Sequence, residues 1–316
     1  MRGSKILDWV TLWLDSEAVS VGQGESMNWT RCIPFLLMHL MCLAAFWTGV
    51  SATALTVCIG FFWLRMFAIT AFYHRYFSHR SFQTSRVAQF LFAVMGNMAA
   101  QRGPLWWAGH HRHHHQYSDQ PNDLHSPVTR GFWWSHMGWF TCDASFKTPY
   151  GRIRDFARFP ELRFLNRYDA LVPLLTLLGM YGIGEVLARF RPELNTNGLQ
   201  MAIWGFFIST TLLFHSTVTI NSLAHVWGRR RFDTRDNSRN NFFLALITLG
   251  EGWHNNHHHY PASARHGFAR WELDITYLLL LLLKRLGIIW DLKPVPARVR
   301  DQMRNIRREI PGDIAT

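Results

Sequence analysis

Apolar residues are gathered into four long runs. Residues 32–50 contain no Lys, Arg, Asp or Glu, and residues 52–72 carry a single charge, Arg65. Residues 171–187 and 199–224 form the other two runs. A helix rises about 1.5 Å per residue, so roughly 20 apolar residues cross the ~30 Å hydrocarbon layer. The pattern therefore predicts four membrane-spanning helices arranged as two hairpins. A fifth apolar run, 275–290, is broken by Lys284 and Arg285 and predicts an interfacial or core helix. Residues 87–100 are too few to span and are expected on or under the bilayer surface. Residues 152–168 mix Arg with Phe and Leu, which suits a surface-lying amphipathic stretch leading into the third span. Ile6, Leu7, Val10 and Leu14 suit a short amphipathic helix. The charged residues after Pro294 are expected to fray.

A mean hydropathy of −0.05 conceals these runs, because polar segments between them cancel the sum. The chain has 33 Lys and Arg against 21 Asp and Glu, a net charge of +12. Arg is concentrated in residues 74–167 and after Trp227, while the turn near Gly49 has no charge. The positive-inside rule then puts both Arg-rich segments and both termini in the cytoplasm. The excess charge fits anionic lipid headgroups or an acidic partner. Nucleic acid is not an expected partner, because the Arg residues flank spans rather than form a separate basic domain. Residues 1–28 carry Asp8, Asp15, Glu17 and Glu25 and no long apolar core, unlike a signal peptide. Cys32, Cys42, Cys58 and Cys142 form no paired motif, so no disulfide framework is expected. The expected organisation is a cytoplasmic segment 1–29, an integral-membrane domain 30–295 and a charged tail 296–316.

Three histidine clusters carry the chemistry. His74 and His79 stand in HRYFSH, His111, His114 and His115 in HRHHH, and His254, His257 and His258 in HNNHH. Asn221 and His225 stand in NSLAH. Positions i, i+3 and i+4 share a helix face, so each of the last two clusters can converge on one point. His74 and His79 are five apart, off-face for a straight helix, and are expected to straddle a helix end. One structural zinc needs about four ligands; this many histidines predict two metals in one site. Iron is the expected metal, although imidazole also suits zinc and copper. A metal transporter or structural zinc protein is the alternative of a different class. A transporter would put its ligands near the bilayer midplane, whereas these clusters lie at the predicted cytoplasmic ends of spans. Glu251 and Asp119 are candidates to orient ligand imidazoles, with His125 and His136 as further support. His39 and His215 are expected to pack inside spans with a hydrogen bond. His110, His113 and His259 are expected to point away from the site.

The segments HRYFSHRSF, HRHHHQYSD, RGFWWSHMGW, NSLAHVWGRR and GEGWHNNHHHYP resemble the membrane fatty-acid desaturases, both the stearoyl-CoA type and the bacterial acyl-lipid relatives. The resemblance runs from about residue 65 to 295. It implies an all-α membrane protein with a cytoplasmic helical cap holding two iron ions, in a bacterial inner membrane. The implied ligands are His74, His79, His111, His114, His115, His225, His254, His257 and His258, with Asn221 acting through a water; spacing does not divide them between the irons. Gln101, Trp107 and Thr217 match the positions that bend the family's acyl tunnel, which implies a cis double bond near the ninth carbon. Where animal enzymes carry Arg-Asp before the second box, this chain has Gly109 and His110. The carrier is therefore open among coenzyme A, membrane lipid and acyl-carrier protein, with Arg102 or Arg112 as replacement head-group contacts. The frame also hosts hydroxylases, acetylenases and decarboxylases. No dinucleotide, haem or iron–sulfur motif is present, so the expected electron source is an external ferredoxin-, rubredoxin- or cytochrome-type donor.

Overall fold

A computed structural model describes residues 5–18 and 24–309. Among the described residues, four helices are long and apolar enough to cross a membrane: α2 (Trp29–Thr48), α3 (Ala52–Ser78), α7 (Leu171–Phe190) and α8 (Gly198–His225). They coincide with the four predicted runs. Between and around them lie α1 (Lys5–Leu14), α4 (Arg86–Asn97), α5 (Pro104–Tyr117) and α6 (Pro160–Arg167). The chain closes with α9 (His254–His259), α10 (Ile275–Arg285) and α11 (Ala297–Glu309). The named strands form one antiparallel pair, Gln83–Thr84 against Ile289–Trp290. The fold is therefore all-α, as expected.

The two hairpins are tied together at their turns. Gly49 takes φ +65° where α2 reverses into α3, a backbone conformation that suits glycine. Ser51 caps α3, and its hydroxyl lies 2.6 Å from that of Thr196 in the other turn. Gln200 Nε2 also donates to Thr48 O. The histidines lie at the opposite ends of the spans. Arg65, the one charge in the second run, is fully buried in α3. Its guanidinium donates to the Ser209 and Thr210 hydroxyls of α8 at 2.7 and 2.6 Å, and to Met98 O. Burial of this cation is tolerated because each of its three nitrogens finds an acceptor, Nε reaching Phe61 O.

Several local expectations change. The last part of α3, Ala68–Ser78, is π-helical rather than α-helical. The amide of His79 donates to His74 O at 3.2 Å, an i→i+5 bond. That geometry puts His74 and His79 on one face, so the spacing that is off-face for an α-helix is on-face here. His79 does cap the helix end. The stretch 152–168 is amphipathic, as expected: Arg154, Arg158, Arg163 and Arg167 are exposed, while Ile153, Phe156, Leu162 and Leu165 enter the same core as Phe72, Phe77 and Leu105. α10 packs on the buried end of α3, the core option of its two readings. The tail does not fray over its described length. Val299 is buried and, with Met303 and Ile306, packs against Phe232, Phe268 and Val295.

Candidate metal centre and acyl cavity

The π-helical end of α3 delivers His74 and His79; α5 delivers His111, His114 and His115; α9 delivers His254, His257 and His258. α9 is a helix of only six residues, so its neighbours hold it. Asn255 Oδ1 accepts from the amides of Arg231 and Phe232, and Asn256 Nδ2 donates to Glu272 and to His266 O. The two asparagines between the histidines thus anchor the helix while the histidines face inward. Just before it, a Cβ on Gly252 would fall 2.1 Å from the Ala245 nitrogen, so the chain passes too close for any side chain.

The nine histidines divide into two sets. His74, His79, His111, His115 and His257 form one; His114, His225, His254 and His258 form the other. Within each set the ligand nitrogens lie within 4.8 Å of one another. Sequence spacing did not provide this division. Each set mixes residues from at least three segments, and His114 and His115, adjacent in sequence, fall in different sets. Asn221 belongs to neither; it lines the cavity beside them, its carbonyl held by the Ser135 hydroxyl at 2.9 Å.

Four carboxylates stand behind the histidines. Asp119 accepts from His225 Nδ1 at 3.0 Å, Asp123 from His114 Nδ1 at 3.0 Å, and Asp236 from His258 Nδ1 at 2.6 Å. Glu251 pairs with His74 Nδ1. A carboxylate only accepts, so Nδ1 carries the proton and Nε2 turns a lone pair inward. Burial alone would raise these acids, but the histidines, and Arg75 at Glu251, outweigh it and hold all four below the usual carboxylate range. Burial, then the neighbouring imidazoles, pushes His111, His115, His254 and His257 well below the ordinary value, leaving them neutral. Burial holds His258 at about 4 despite Asp236. His114 goes the other way: Asp123 outweighs burial and raises it.

These residues fit metal ions. His74 and His257 present Nε2 atoms 3.0 Å apart, His115 and His257 2.9 Å, and His225 and His254 3.0 Å. Buried His258 Nε2 has no hydrogen-bond partner. Desolvated lone pairs converging in this way cost free energy unless a cation receives them.

Asp119 and Glu251 thus stand where the sequence pointed. Asp123, Asp236 and His266 were missed. The His266 ring lies 4.3 Å from that of His257, tilted by 35°, and brings Nδ1 to 3.4 Å from Glu251. Asp119 and Asp123, four apart just after the second box, were a usable signal, since ligating imidazoles commonly need an acceptor. His125 stacks on His114 at 4.3 Å. His136 instead joins His215 at 3.1 Å, and His215 joins His39 at 3.0 Å, away from the nine. His113 and His259 turn outward to Asn122 O and Gln302.

A cavity of about 570 Å³ leads to this centre, within the usual size of small-molecule sites. Gln101, Trp107 and Thr217 all line it. Gln101 Nε2 donates to Thr217 Oγ1 at 3.0 Å, and Trp107 stacks on His111 at 5.0 Å. The substituted head-group positions are covered: a Cβ on Gly109 would meet Pro149 Cγ at 2.7 Å, and His110 Nε2 bonds Lys147 O at 3.1 Å. Arg112 is not a replacement contact. Its guanidinium is committed to Asp155 and to the carbonyls of Phe77, Ser78 and Arg152. Arg102 does reach the cavity.

The chain matches the fatty acid desaturase family over residues 32–290. It is 35% identical over 279 residues to the sn-1 stearoyl-lipid 9-desaturase of Anabaena variabilis, covering 87% of this chain and 97% of that one. It is 36% identical to an acyl-CoA 5-desaturase of Anemone leveillei, covering 83% and 78%. It is 33% identical to a hex-5-enoyl-[acyl-carrier protein] acetylenase of Moorena producens, covering 80% and 81%. With this match across most of its length, the chain belongs to the fatty acid desaturase family and is an enzyme of that family.

Proposed function

We propose that the chain is an oxygen-dependent di-iron acyl desaturase that inserts a cis double bond near the ninth carbon of a saturated chain. Two sets of histidines at the end of an apolar cavity, with Trp107 stacked on His111, carry this reading. The nine histidines would hold the irons, and Asn221 would act through a water. When bound, the irons supply oxygen activation and removal of two hydrogens from the chain. The protein fixes which carbons are presented: the Gln101–Thr217 bond and the Trp107 ring shape the bend, so distance from the carrier sets the bond position. The four carboxylates hold the proton on Nδ1 of His74, His114, His225 and His258 and turn the Nε2 atoms of these four toward the metal. The centre faces the cytoplasm, on the inner membrane surface, by the Arg distribution. Expression in a host of known lipid composition, followed by mass spectrometry of the fatty acids, tests the reading. New Δ9 monoenes support it; hydroxy, acetylenic or chain-shortened products would replace it with another reaction on the same frame. The acetylenase relative makes the acetylenic product the principal rival.

Two expected results follow. Gln101→Leu removes the donor to Thr217, and the double bond should spread to neighbouring carbons; an unchanged single position after product analysis argues against the bend. Electrons come from an external ferredoxin-, rubredoxin- or cytochrome-type protein on the basic face. Turnover with such a donor should fall as ionic strength rises. Purified, iron-loaded enzyme should make no product with NADPH alone.

A further inference from the structure

The second histidine set has almost no surface of its own. The side chains of His114, His225 and His258 and the whole of His254 are at most 3% exposed. His79, His111 and His115 of the first set are only half-buried. An electron delivered to the second set therefore crosses protein, and electron tunnelling weakens steeply with distance and with gaps in contact. Trp253 is placed to shorten that crossing. It is buried, and it is bonded directly to His254 of the second set. Its carbonyl accepts from the amide of His257, of the first set, at 3.1 Å. One residue thus touches both sets through the backbone.

On its other side the Trp253 ring meets Trp271 edge-on, with centroids 5.5 Å apart, and its Nε1 donates to Leu273 O at 2.8 Å. Trp271 is 59% exposed. Two rings therefore lead from the surface to a residue shared by both sets. Trp271 belongs to a larger patch. Phe242 lies against both Trp253 and Phe243, and Phe243 stacks on Trp227; Phe242, Phe243 and Trp227 are all exposed. Joined exposed rings of this kind mark a surface that another body covers. The flanking charge is positive. The Arg231 guanidinium lies 6.0 Å from the Trp271 ring, and its sequence neighbour Arg230 and the residue before Trp271, Arg270, are exposed. The acid that follows Trp271, Glu272, is buried and already engaged by Arg231 and Asn256.

Resting on the desaturase reading above, we infer that Trp271 and Trp253 form the electron entry to the centre, and that an acidic, ferredoxin-type carrier docks over Trp271 beside Arg230 and Arg270. Aromatic residues at the middle of a contact and cations around it suit an acidic protein partner. In each turnover one O2 is reduced to two waters. Two of the electrons leave the acyl chain with its two hydrogens; the other two come from the carrier, with two protons from solvent. The carrier delivers them one at a time and is itself oxidised. The two rings couple carrier to centre and end the turnover unchanged.

The probe is a plant-type 2Fe–2S ferredoxin. Its binding to the full-length protein in detergent is read by surface plasmon resonance, with and without iron. Turnover of the iron-loaded protein is driven in parallel by this ferredoxin, kept reduced by NADPH and its reductase, and by reduced methyl viologen, a small carrier that needs no docking surface. Arg270→Glu should weaken ferredoxin binding about tenfold in both iron states. Trp271→Leu should lose most of the ferredoxin-driven turnover relative to the viologen-driven turnover, with iron content kept, and Trp271→Phe should recover part of that ratio. Trp271 is exposed, so these variants do not put the core at risk; Trp253→Phe then checks the buried ring. A ratio unchanged in Trp271→Leu means that the entry lies elsewhere, and the desaturase reading survives. If viologen drives product but ferredoxin neither binds nor drives it, the docking claim is wrong and the patch faces lipid head groups instead. If neither reductant yields product, the desaturase reading falls and the inference with it.

Discussion

Replacing His257 with alanine is expected to abolish double-bond formation and to lower bound iron. His257 is the most connected of the nine histidines: its Nε2 lies 3.0 Å from that of His74 and 2.9 Å from that of His115. It is also fully buried, so no solvent ligand reaches the gap without a new path. A lost ligand leaves an open, weaker site. The comparison that makes this informative is Asp236→Asn. Asp236 touches no other member of the second set, and orients His258 alone through Nδ1 at 2.6 Å. Losing such a support should cost about 10- to 100-fold in metal affinity, so excess iron should restore much of the activity. The His257 variant should not be rescued that way. Iron content by elemental analysis and product by mass spectrometry read both variants. Full activity of the His257 variant with little or no iron would reject the di-iron reading.

What the sequence made legible follows from how local each signal is. Four spans were readable because each is one uninterrupted apolar run, and the i, i+3, i+4 boxes because a helix converts spacing directly into a face. His74 and His79 resisted, because their spacing is on-face only for a π-helix, and nothing in AITAFYHRYFS marks that geometry. The division of the histidines was out of reach for a related reason. Which set receives His114 or His115 depends on how α5 turns against α3 and α9, a tertiary fact. Asp236 illustrates the third kind of gap: it lies 22 residues from His258, in a loop with many possible paths. The tail was misjudged from composition. Charge dominates residues 297–309, but Val299, Met303 and Ile306 fall on one face and find a small apolar cluster to cover.

Arg75→Leu is expected to cost about 3–5 kcal/mol of stability, the penalty for breaking a buried ion pair, and to remove metal as well. Arg75 sits in the first histidine box but ligates nothing. It is fully buried and bridges two acids, Glu251 at 3.0 Å and Asp274 at 3.0 Å, while donating to Ala264 O at 2.8 Å. Glu251 in turn holds His74, and Asp274 caps α10 by accepting from the Tyr277 amide. One guanidinium therefore neutralises the carboxylate that orients His74 and the carboxylate that fixes the helix packed behind it. Leucine would fill part of the volume but leave both acids without their cation. Glu251 would then be pushed toward its neutral form, and a neutral acid can give a proton as well as accept one. His74 would lose its fixed tautomer, and with it a dependable lone pair toward the metal. Arg75→Lys separates the two effects. It keeps a charge but has no fork to reach both acids and the carbonyl at once, so it should fold better than the leucine variant yet still bind iron more weakly than the unaltered chain. Thermal unfolding in detergent and iron content measure the pair. Wild-type stability and iron in Arg75→Leu would mean that the two carboxylates do not depend on this cation.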